Sequence, residues 1–277
     1  MKPIRVFVAA VLMTTAQSLP AQGPVVSDKA QSAAFAISST PVGAVPRLIT
    51  SQALGTSKGT GLRFQFGNID EAGDFSRRIY LGGLDLPVGR ATVGLSAGFL
   101  DFVCGDSGDP QIKLDCKGGF MAGAHAGTPL VTTALGSANP VAVTVGLDGS
   151  VGFGTGDILD ATFDGGFGNT LSVKAEATSM ALGLSLPVAL VAKGSGVTVA
   201  PHITPGVGYG RLKAKVSAND PSFPSESNTE SGARFMLGGG AAILLNNSGL
   251  GLHLGLQKVF AKDAESTLSF GLSYTLR

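Results

Sequence analysis

The last eleven residues, TLSFGLSYTLR from Thr267 to Arg277, place Leu268, Phe270, Leu272, Tyr274 and Leu276 on one phase and Thr267, Ser269, Gly271, Ser273 and Thr275 on the other. Side chains of a strand point alternately to opposite faces, so this pattern specifies a strand with one apolar face and one face of small polar residues. The segment before it repeats the pattern: Leu250, Leu252, Leu254 and Leu256 alternate with Gly251, His253, Gly255 and Gln257. Between the two apolar runs around it, Asn246-Asn247-Ser248-Gly249 predicts a tight turn.

Similar segments recur at about 232–245, 197–215, 171–190, 140–153, 117–129, 91–103, 78–87 and 60–67, which predicts ten strands, with eight to twelve as the range. Connections alternate in kind. Those near 87–90, 130–139, 191–196 and 246–249 are expected on one side, opposite longer polar ones near 68–77, 104–116, 154–170 and 217–230 and a short charged one at 261–265. An antiparallel up-and-down barrel crossing an outer membrane has this asymmetry, with short inner turns and longer outer loops.

Alternation alone also suits a soluble β-sandwich, so the composition of the polar face decides. Charged residues make up 14% of the chain, against about 25% in an ordinary globular domain. Glycine numbers 41, and mean hydropathy is +0.31. Gly, Ala, Ser and Thr therefore take the places that Lys and Glu would hold on a solvated sheet, as suits a narrow lumen. With no Trp and 3 Tyr, the interfacial aromatic girdle is expected to consist mainly of Phe. A net charge of +1 offers no argument for nucleic acid as a partner.

The chain begins MKPIRVFVAAVLMTTAQSLPAQ, in which Lys2 and Arg5 precede an apolar run from Val6 to Met13 and small residues around Ala16, Ser18 and Ala21. This predicts a secretory signal peptide over 1–22, and later residues lack the ~20 consecutive apolar positions of a membrane helix. Residues 23–58, with Pro24, Pro41 and Pro46 and the short apolar stretch AAFAI, are expected to form an irregular extension before a barrel over 59–277. Cys104 and Cys116, the only cysteines, are expected to form a disulfide closing a short loop of an exported protein.

From about residue 59 to the C-terminus the chain resembles the small bacterial outer-membrane β-barrels, the OmpA-like and OmpX-like group, in pattern rather than in a named motif. The resemblance implies an outer-membrane location, contact with lipid and lipopolysaccharide, and insertion by the barrel-assembly machinery, which reads the final strand. Members usually end on an aromatic residue, whereas this chain ends Leu276-Arg277.

Several constellations bear on chemistry. CGDSGDP over 104–110 is one letter from the GDSGGP around the nucleophilic serine of trypsin-like proteases. That family needs its histidine upstream of the serine, and the first histidine here is His125, so Ser107 is read as a turn residue. Asp106, Asp109 and Asp115 in the same loop lack the spacing of a calcium loop, so no metal or other cofactor is expected. His125, His202 and His253 fall on the small-residue phase together with Arg63, Asp148 and Arg234, which makes these six the lumen-facing candidates. The histidines would gate ions, bind a metal if their heights match, or simply fill the lumen. Outer-membrane hydrolases need a Ser and His at the lipid-facing rim, and no histidine here is on that phase. No catalytic residue is assigned and an enzyme is not expected.

Two surface features remain. Between 199 and 215 the outward phase runs Val199, Ile203, Val207, Tyr209, Arg211, Lys213, Lys215; with Lys174 these cations are candidates for lipopolysaccharide contact. The outer loops are acidic through Asp70, Glu71, Asp74, Asp106, Asp109, Asp157, Asp160, Asp164, Asp220, Glu226 and Glu230, which predicts cation preference if the lumen is open. A glycine-rich lumen is expected to leave that space. The function this supports is a small passive pore or a structural, surface-interacting barrel, with a rim hydrolase or a soluble secreted β-protein as the alternatives.

Overall fold

Residues 59–71, 75–104, 112–136, 141–164, 170–220, 225–260 and 266–276 are described by a computed structural model. The readings for 1–22 and 23–58, the centre of the CGDSGDP loop and Asp74 lie outside these residues. Twelve strands form one antiparallel sheet: β1 (Gly61–Glu71), β2 (Phe75–Val88), β3 (Ala91–Cys104), β4 (Ile112–Cys116), β5 (Gly118–Ala134), β6 (Val141–Asp164), β7 (Thr170–Ser185), β8 (Val188–Lys193), β9 (Val197–Ala218), β10 (Glu226–Leu245), β11 (Leu250–Phe260) and β12 (Ser266–Thr275). β1 pairs with β12, so the sheet closes and leaves no free edge.

The twelve strands are ten staves. β4 and β5 meet β6 in one register that carries on past Lys117, whose carbonyl accepts a hydrogen bond from Phe102 N and whose N–H donates to Ile158 O, and that shifts by one residue at a bulge between Pro129 and Val131. β7 and β8 likewise share one register against β9, broken at Leu186-Pro187 because proline has no N–H to give the ladder. Walking across the ladder from Val197 through Leu245, Leu250, Tyr274, Leu62, Leu84, Leu95, Ala124, Val151 and Leu182 returns to Tyr209, twelve residues further along β9. Ten staves with that stagger tilt by about 40° from the axis.

The two faces follow the sequence pattern. Along β11, exposed and buried residues alternate without a break, with Leu250, Leu252, Leu254 and Leu256 outside and Gly251, His253, Gly255 and Gln257 inside. The outside of β9 is apolar from Val199 to Tyr209; at ~3.3 Å per residue and a tilt of about 40° this spans about 25 Å along the axis, the height of a hydrocarbon-facing band. Aromatic rings gather toward the outer edge of the band. Phe66 and Tyr80 lie 5.3 Å apart, Phe99 and Phe120 6.3 Å, and Phe235 and Phe260 5.4 Å. The girdle is mainly phenylalanine. A closed barrel with this exterior is a membrane β-barrel.

The structure changes two expectations. Strands run further outward than the apolar pattern does: β1 reaches Glu71, β6 reaches Asp164, β9 reaches Ala218 and β10 starts at Glu226. Asp157, Asp160 and Asp164 are thus strand residues, because backbone pairing continues above the membrane where the side chains no longer need to be apolar. The lumen is also more closely packed than its glycine content suggests. Ile79, Met121, Ala181, Thr198, Ala242 and Ser269, which belong to different walls and heights, are each 0% exposed. Toward the inner end Ala189, Val191, Ala200, Ala242 and Leu244 cluster, and toward the outer end Ile79, Leu81, Leu100, Phe102 and Met121 cluster with Cys116 and Ile158 against them. At Gly83, Gly94 and Gly127 the space a Cβ would take is filled by Arg63, His125 and Asp148 of neighbouring staves.

Candidate functional site

Between the two apolar clusters lies a polar layer. Each of its members sits on the inward phase of its strand: Arg63 on β1, Asp85 on β2, His125 on β5, Asp148 on β6, His202 on β9, His253 on β11 and Ser273 on β12. Register and tilt together place all seven within a slab about 7 Å thick. The three histidines therefore belong to one layer, with His202 and His253 at nearly the same height and His125 further out.

Asp85 is the hub. Arg63 Nη2 lies 3.6 Å and His125 Nε2 3.1 Å from the same Oδ1, and all three side chains are buried. His125 reaches Asp85 by crossing β3 at Gly94, where a Cβ would come within 2.1 Å of His125 Cε1 and 2.2 Å of Asp85 Oδ1. Arg63 lies over Gly83 of β2, with 3.0 Å between its Nη2 and the position of a Cβ there. Asp148 lies over Gly127 of β5 in the same way, at 2.7 Å. Glycine on one stave thus makes the groove in which the charged side chain of its neighbour is laid.

On the opposite wall, His253 Nε2 is 2.8 Å from Ser273 Oγ, and its ring passes over Gly271. His202 Nδ1 donates to Ala200 O at 3.2 Å. His202 Nε2, His253 Nδ1, Thr204 Oγ1 and Gln65 Nε2 are buried without a hydrogen-bond partner among the described residues. The imidazoles nevertheless stand on separate walls. Among the described residues no group of three or more His, Cys, Asp or Glu is arranged to hold a metal ion.

Five of the six lumen-facing candidates lie in this layer. The sixth, Arg234, is on the inward phase but near the outer end, over Gly232, where its Nη1 donates to Ala233 O at 3.0 Å. Asp85 and Ser273 were missed as site residues. Their phase was legible, since Asp85 stands between Leu84 and Leu86 and Ser273 between Leu272 and Tyr274. The cross-strand hub was not, because His125 and Asp85 are forty residues apart and meet only across β3. Lys174, Arg211, Lys213 and Lys215 are all exposed on the outward face, above Met180, Tyr209 and Phe235. Cys104 closes β3 and Cys116 closes β4.

No family model and no curated protein matches the chain. Similar solved structures are the translocator domain of the autotransporter NalP from Neisseria meningitidis, at 13% identity and TM-score 0.39, covering 82% of this chain and 92% of that one. LpxR from Salmonella typhimurium follows at 11% and 0.36, covering 78% and 100%. Ail of Yersinia pestis, in complex with a heparin analogue, gives 12% and 0.27, covering 78% and 97%. The chain's own closed ladder and two-faced staves make it a ten-stave membrane β-barrel.

Proposed function

We propose that the protein is a closed structural barrel of a bacterial outer membrane, which holds its long outer strands in place for contact with the cell surface. The observation that carries this reading is the filled lumen, in which a buried polar layer is capped on both sides by apolar clusters. Ions crossing a lumen packed in this way would have to give up much of their hydration. A catalytic role is not part of the proposal: the Ser273–His253 contact is enclosed in the lumen, away from any lipid or peptide. Export by the N-terminal signal peptide, insertion by the barrel-assembly machinery and a Cys104–Cys116 disulfide tying β3 to the β4–β5 stave complete it.

Two measurements test this. The membrane fraction run cold and boiled on a gel is expected to show a heat-dependent shift of the folded barrel. Purified barrel in a planar bilayer is expected to give no steady conductance. Stable channels with cation preference in a salt gradient would instead establish the pore and overturn the closed reading.

A further inference from the structure

The outward face of β9 changes character at one point. From Val199 to Tyr209 it is apolar, and then Arg211, Lys213 and Lys215 follow at every second residue, all exposed. The flanking staves answer with hydroxyls. In register, Arg211 stands between Met180 and Ser231, Lys213 between Thr178 and Thr229, and Lys215 between Glu176 and Ser227. Lys174 rises beyond them, next to Ser217.

Little of this charge is spent within the protein. Lys215 lies 4.0 Å from Glu176, whose other neighbour in register is Asp157. Arg211 and Lys213 have no acidic partner within 4.0 Å among the described residues. On β2 and β3, by contrast, Arg78 stands in register with Asp101.

The spacing selects the partner. Two residues of strand advance about 6.6 Å, which at a tilt of about 40° is about 5 Å along the membrane normal. Arg211 therefore stands just above the aromatic edge of the hydrocarbon band, at the depth of a lipid's first phosphates. Lys213 and Lys215 stand one and two steps further out. A phospholipid carries its anionic charge at a single depth and would leave the upper cations unmatched. A ladder of cations interleaved with hydroxyls matches a lipid whose phosphates and sugars continue outward from the membrane.

On the membrane-barrel reading above, we infer that β7, β9 and β10 form a docking face for one phosphorylated glycolipid, whose lipid-proximal phosphate meets Arg211 and whose outer sugar phosphates meet Lys213 and Lys215. The test uses the full-length barrel in detergent and native mass spectrometry with three probes: phosphatidylglycerol, phosphorylated lipid A, and lipid A extended by phosphorylated core sugars. The extended lipid is expected to bind tightest. Each cation near an anionic lipid surface contributes about fivefold, so Arg211→Ala should weaken both glycolipids by about that factor and the triple alanine variant the extended one by about a hundredfold. Lys213→Ala and Lys215→Ala should abolish only the advantage of the extended lipid over lipid A. Lys193→Ala, at the inner end, is the control and should bind as the parent does.

Equal binding of phosphatidylglycerol and the extended lipid would assign the face to any anionic headgroup and overturn the inference, as would unchanged binding by the triple variant. The cold and boiled gel separates the two readings. A variant that still shifts on heating but no longer discriminates bears on the docking face, whereas a parent protein that never shifts bears on the barrel itself.

Discussion

Asp85 Oδ1 lies within ion-pair distance of Arg63 on one side and of His125 on the other, and all three side chains are buried. Removing one member of such a group leaves an unpaired buried charge, which costs more than the intact cluster contributes. Asp85→Ala is expected to lower barrel stability by about 3–5 kcal/mol in urea unfolding from vesicles, and Arg63→Met combined with Asp85→Ala to recover part of that loss. Additive losses in the double variant would remove the case for a coupled hub. Gly94 is the second sensitive position, because any Cβ there collides with both His125 and Asp85. Gly94→Ala should cost about 1–3 kcal/mol, whereas Gly82→Ala on the lipid face, where the nearest atom is 3.9 Å away, should stay within about 1 kcal/mol. Similar unfolding midpoints for the two variants would contradict this placement of His125.

Each stave has one face in lipid and one in the lumen, and substitutions should divide accordingly. Leu254 lies on the outward face near the middle of the apolar band, so Leu254→Arg is expected to destabilise by about 2–4 kcal/mol. The same change at Ser266, at the outer end of β12, should cost less than about 1 kcal/mol, and equal losses would argue against a bilayer around this band. At the outer end of the β4–β5 stave, Lys117 hydrogen-bonds to Asp115 and lies 3.8 Å from Asp160 on β6. The Asp115 hydrogen bond, with smaller contributions from nearby carboxylates, holds the Lys117 ammonium above the ordinary lysine range. A raised pKa means the tie is complete below the ordinary lysine value and is lost as pH climbs through the raised one. Amide exchange in β4 should therefore accelerate at strongly alkaline pH in the parent protein but already be fast at neutral pH in Lys117→Ala. Because Lys117 stands at the surface outside the membrane band, this is a local effect and the heat-dependent gel shift should not change.

For the molecule as a whole, ten staves and a twelve-residue stagger make a cylinder narrow enough for side chains to fill. The period-two pattern, the turn at Asn246–Gly249 with Gly249 at φ +73°, and the division into lipid-facing and lumen-facing residues were all legible in the chain. So was the place where Tyr209 hands over to Arg211, because a strand leaving hydrocarbon must change its outward residues there. Height was not legible. Alternation says which face a residue occupies but not which residue on another stave stands beside it, and that depends on the closing register between β1 and β12 and on the accumulated stagger. His125, Asp85 and Arg63 become neighbours only once the barrel closes. For the same reason glycines that suggest an open channel in one dimension become, in three, the grooves in which Arg63, His125 and Asp148 of neighbouring staves lie. Local side-chain chemistry sufficed for the two faces of every strand; the filled lumen and its Asp85-centred layer were decided by closure, which sets distances between residues that no local pattern relates.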